Sequence, residues 1–239
     1  MNRPPVRYFR LNFGAMTVGE IWRGCEGNLV KFIAISTNKI GLKLVIPTYT
    51  ASLKTEWIPI DPDDIPRAAM KQICNQVSPL KDVGFELISY GETPLLEETR
   101  EMFTALMLSK DGVTGVGVVY LREPHKTTSA ATMATRCSDG SYIVTTSEMR
   151  LFNMPSNRDF RYFQGMPASR LHDQHQERLH QAESRGKNFL KFTKQNVAED
   201  SLRFVIEFGE YLVDRGVLVE IPDEEVEEIF WRRGDDHDD

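Results

Sequence analysis

Cysteine is scarce in this sequence, and the three present, Cys25, Cys74 and Cys137, are an odd number without C-x-x-C spacing. That fits neither a disulfide framework nor a zinc site built from thiolates, and a reducing compartment is the simpler reading. Long apolar runs are missing too. The most apolar stretch, residues 29–47, is interrupted by Lys31, Lys39 and Lys43, so no membrane span is expected. Met1 to Pro5 lead into alternating polar and apolar residues with none of the apolar core of a secretory signal. The expected location is the cytoplasm. There is no repeat of fixed period, and no G-x-S-x-G, H-E-x-x-H, kinase set or EF-hand loop. Gly112, Gly115 and Gly117 lead into the strand-like run 118–121 and not into a helix, which excludes a phosphate-cradling turn. No cofactor and no metal site is expected.

What is present is an ordinary globular composition. The 239 residues are 41% hydrophobic, 27% charged and 10% aromatic, enough to bury a core without metals or disulfides. The net charge of -6 is uneven. Residues 149–194 hold nine Lys or Arg against four Asp or Glu, and residues 199–239 hold four against fifteen. A solvated helical surface accounts for such runs; a basic binding surface beside an acidic end is the functional alternative.

Residues 1–62 read as a β-rich segment. Residues 7–13 alternate, with Phe9, Leu11 and Phe13 on one face, and two apolar runs flank a turn at 36–41 carrying Asn38 and Gly41. Met70, Ile73, Cys74, Val77 and Leu80 recur at helical spacing, so the sequence predicts an amphipathic helix from 64 to 77 or slightly beyond, ended or bent by Pro79. Residues 63–165 are then a helix plus an antiparallel meander. Two apolar runs turn about Asp111-Gly112 and Asp139-Gly140, each read as a two-residue hairpin turn. In the first hairpin this pairs Leu108 with Gly115, Leu106 with Gly117, Phe103 with Tyr120 and Glu101 with Arg122. Both faces of that hairpin are apolar, so it belongs at the centre of the sheet. In the second, the pairing puts Met133, Thr135 and Cys137 on one face with Tyr142, Val144 and Thr146, and Arg136, Thr145 and Ser147 on a wetter face. Residues 166–234 are mainly helical, with helices at 167–185, 197–215 and 223–233 that each stop before a glycine, and a short strand at 217–221. Gly209 on the middle helix allows close approach of another element. Strands grouped before helices predict an α+β class, here a single domain of residues 1–234 with a disordered acidic tail at 235–239.

Candidate binding residues come from the basic stretch. Arg158, Arg161 and Phe163 interleave bases with aromatics, a pattern that stacks nucleobases, grips an acidic peptide, or simply marks a strand with one buried face. The acidic whole argues against a polyanion. On the following helix His172, His175 and Arg178 join them as residues expected to meet a partner. The three histidines of that helix, His172, His175 and His180, do not converge at 100° per residue, and Glu177-x-x-His180 has no second copy with which to build a di-metal site. His175 lies on the stripe of Leu171, Leu179 and Ala182 and is expected to be buried, neutral and hydrogen-bonded.

The order Gly84-Phe85-Glu86, the central apolar hairpin, Ser138-Asp139-Gly140-Ser141 leading to Thr145-Thr146-Ser147, and then a His-bearing helix resembles uncharacterised bacterial proteins over residues 80–180. The resemblance implies no activity, fold or ligand. The expectation is therefore a non-enzymatic binding or interaction protein that uses a sheet face and the helix 167–185 on a protein or small-molecule partner. Its rivals are a hydrolase in which His172 or His175 meets Glu97, Glu98 or Glu101, and an RNA or acidic-peptide binder using residues 150–194.

Overall fold

Residues 6–25, 28–36, 50–54, 56–95, 100–124, 126–148 and 151–228 are described by a computed structural model of the chain. Among them, five α-helices and two sheets of mostly antiparallel strands make an α+β protein, the class the sequence predicts. No helix among the described residues is long and apolar enough to cross a membrane. The chain divides into two compact units, residues 1–55 with 206–239, and residues 56–205.

In the first unit, strand β1 (Val6–Leu11) lies between β2 (Thr50–Lys54) and a closing strand, Leu218–Glu220, that is β10 in chain order. Phe9 pairs with Ala51 on one side and Glu220 on the other, and its ring is fully buried. Helix α1 (Val18–Gly24) starts on a capping box: Thr17 Oγ1 accepts from the Glu20 amide, and the Glu20 carboxylate accepts from the Thr17 amide at 2.7 Å. Glu20 is fully buried, and Arg215 donates to each of its carboxylate oxygens at 2.7 Å.

The first apolar run of this segment is not a strand. Leu29–Ser36 is a helix, α2. The reason lies just upstream, where Asn28 Oδ1 accepts from the Lys31 amide at 3.0 Å and so caps the first turn. A capping side chain outweighs the β propensity of a short apolar run, whose period alone does not separate strand from buried helix. The turn at Asn38 and Gly41, the second apolar run, Glu97, Glu98, the end of the last helix and the acidic tail lie outside the described residues.

In the second unit, seven strands run in the order β3 (Ile58–Pro59), β4 (Phe85–Glu92), β5 (Glu101–Ser109), β6 (Gly115–Glu123), β7 (Lys126–Arg136), β8 (Tyr142–Thr146) and β9 (Arg158–Tyr162). All neighbours are antiparallel except β9, which joins β8 in parallel. The register expected for β5 and β6 is present at all four pairs, Leu108 with Gly115 through to Glu101 with Arg122. These two strands are central. Phe103, Ala105 and Met107 face one core with Val116, Val118 and Tyr120, while Leu106 and Leu108 face another with Phe192 and Val197. The turn itself takes four residues instead of two. Ser109 N donates to Thr114 O, Gly112 N donates to Ser109 O, and Gly112 has φ +75°. Adding one residue to each side of the turn leaves every pairing unchanged.

The second hairpin is a correction. Cys137 N donates to Ser141 O and Gly140, at φ +81°, closes a three-residue loop, Ser138 to Gly140. An odd loop shifts the register by one, so Thr135 pairs with Ile143 and Met133 with Thr145. Thr145 thus shares a face with Thr135 and Cys137, and every residue of β8 is buried.

Helix α3 runs Arg67–Asp82, with Pro79 inside it and not at its end. Leu80, fully buried on the same stripe as Ile73 and Val77, carries the helix past the proline. Helix α4 (Ala168–Glu183) packs beside α3 on the same sheet face, through Ala168 and Leu171. Helix α5 (Val197–Asp214) ends before Gly216, at φ +66°. Within the first unit, a Cβ on its Gly209 would stand 2.7 Å from Leu53 Cδ2, the close approach expected there.

Candidate binding site

Helix α4 is fixed to the sheet by a buried polar network. His175 is fully buried, with Nδ1 2.8 Å from Thr145 Oγ1 and Nε2 3.0 Å from Thr135 Oγ1. Thr135 continues to Thr114 at 3.0 Å. Arg178, also buried, donates from Nη1 to Thr145 Oγ1 at 2.6 Å and to Val144 O at 2.5 Å, and from Nη2 to Asp159 O at 2.6 Å and Asp159 Oδ1 at 2.8 Å. Because Arg178 only donates, the Thr145 hydroxyl hydrogen is available to His175 Nδ1, which leaves Nε2 to donate to Thr135. That direction needs a neutral ring. Burial, then the charges of Arg178 and His172, hold His175 down at about 3. One arginine therefore joins α4, β8 and the parallel edge strand β9.

This accounts for three of the six residues expected to meet a partner. His175 and Arg178 face inward, and Arg158 is buried with its guanidinium stacked 3.8 Å over the Phe204 ring and an Nη2 bond to Phe204 O. Phe163 is half-buried against the main core, and His172 is half-buried beside the Phe85 ring in an edge contact. Arg161 is exposed. Of the residues named for a hydrolase, His175 has a threonine on each nitrogen, Glu101 is paired with Arg122 at 2.8 Å, and Glu97 and Glu98 lie outside the described residues. No group of three His, Cys, Asp or Glu side chains among them is placed to hold a metal ion.

A cavity of about 240 Å³ opens beside the first turn of α4. Asn75, Gln76 and Pro79 of α3 form one wall, Ser129 of β7 and Ser147 another, and residues 165–168 the third. The sequence explains each wall. Pro79 has no N–H, so the carbonyl of Asn75, four residues earlier, loses its helical donor. Pro167 stands at the N-cap of α4 and offers no side-chain acceptor to the first amides of the helix. Ser147 Oγ accepts from Ala131 N at 3.0 Å, whereas the buried hydroxyl of Ser129 has no partner; Asn75 on the same wall is exposed and Gln76 half-buried. Among the described residues the lining is uncharged. Sequence reasoning missed the cavity, and its one legible trace is Pro79 inside an otherwise helical stripe.

The fold and site define an α+β protein with one polar cavity described beside a helix start. Compared with known protein families, with curated proteins and with solved structures, the chain matches none of them.

Proposed function

We propose that this chain is a soluble, cytoplasmic binding protein without a catalytic step, and that its partner is a small molecule held in the cavity between α3, β7 and the start of α4. The observation that carries this reading is a concave surface lined by Asn75, Gln76, Ser129 and Ser147, in which the buried Ser129 hydroxyl has no protein partner. Polar groups left unengaged inside a fold cost stability, and a cleft with a few convergent polar groups is where a ligand supplies what the protein does not. The cavity borders the helix that the sequence picks out for partner contact. In this reading Arg158, His175 and Arg178 hold that helix and its neighbouring strand in place, while Arg161, Phe163 and His172 remain for a second contact near the same helix. Three free thiols, Cys25, Cys74 and Cys137, support a reducing compartment.

The test is a ligand-observed NMR screen of small polar compounds against the wild type and Gln76→Trp, a substitution on a half-buried helical position that fills the cavity. Compounds that bind the wild type are expected to lose their signal in the variant, with its melting temperature unchanged. A screen in which no compound distinguishes the two proteins removes the reading.

A further inference from the structure

We draw no further inference here: the strongest candidate, the buried Ser129 hydroxyl without a partner in the cavity between α3, β7 and the start of α4, belongs to the site already described, and nothing else in that lining shows which ligand chemistry would meet it.

Discussion

His175 illustrates how a single buried ring ties stability to pH. In the folded protein its imidazole is held neutral at about 3, against an ordinary value of 6.5. Between those values the unfolded chain takes up a proton that the folded chain does not, so this contribution is complete above pH 6.5 and is lost as pH falls toward 3. The slope for one such group approaches about 1.4 kcal/mol per pH unit. In His175→Leu that term disappears. At pH 7 the variant also loses two hydrogen bonds, but Thr135 keeps Thr114 and Thr145 keeps Arg178, so the expected cost is about 1–3 kcal/mol. The variant is thus expected to be less stable than the wild type at pH 7 and to close the gap, or reverse it, by pH 4–5. Urea unfolding of both proteins across that range reads the difference directly, and the acid-sensitive carboxylates cancel because both proteins carry them. Stability curves that run parallel from pH 7 to pH 4 contradict the assignment of a neutral, buried His175.

At the scale of the element, the two Asp-Gly turns decide which face each side chain occupies. Gly140 has φ +81°, and a Cβ built there meets nothing within 4 Å, so Gly140→Ala isolates the backbone cost. A left-handed alanine is expected to lower stability by about 1–2 kcal/mol, and Gly140→Asn by less, since asparagine tolerates that conformation. Equal denaturation midpoints for wild type and Gly140→Ala rule out the three-residue loop. That loop also marks the limit of what the sequence discloses. In the first hairpin a four-residue turn replaces a two-residue one, and the pairings of Leu106, Phe103 and Glu101 are legible because the parity is the same. In the second, the odd loop turns Thr145 toward α4, and the network of Thr135, His175, Thr145 and Arg178 follows from that inversion. Periodicity alone places His175 inside; it does not name its partners. Helix α2 is illegible for a different reason, since one capping asparagine, Asn28, reverses the preference of a β-rich run. The cavity depends on residues more than fifty positions apart, Asn75 with Ser129 and Met166, and no local pattern encodes such a meeting.

For the whole molecule, the order of the chain predicts which pieces stand alone. The second unit is continuous in sequence: its seven strands, α3, α4 and the main core from Ile65 to Leu171 all lie within residues 56–205. The first unit is assembled from both ends of the chain, because β1 needs β10 on one side and β2 on the other. Its buried Glu20 depends on Arg215, nearly two hundred residues away. Removing one partner of such a pair costs about 3–5 kcal/mol, a large share of a small domain's stability. A fragment of residues 56–214, which keeps α5 whole, is therefore expected to fold with dispersed amide resonances, unfold in one cooperative transition and retain any ligand of the cavity. Residues 1–55 alone are expected to stay unfolded, with a β1 edge unpaired and Glu20 uncompensated. Amide spectra and urea titrations of the two fragments also decide whether residues 1–234 behave as a single domain. A disordered 56–214 fragment means that the continuous unit draws its stability from the chain ends, and a folded 1–55 fragment means that β10 and Arg215 are dispensable.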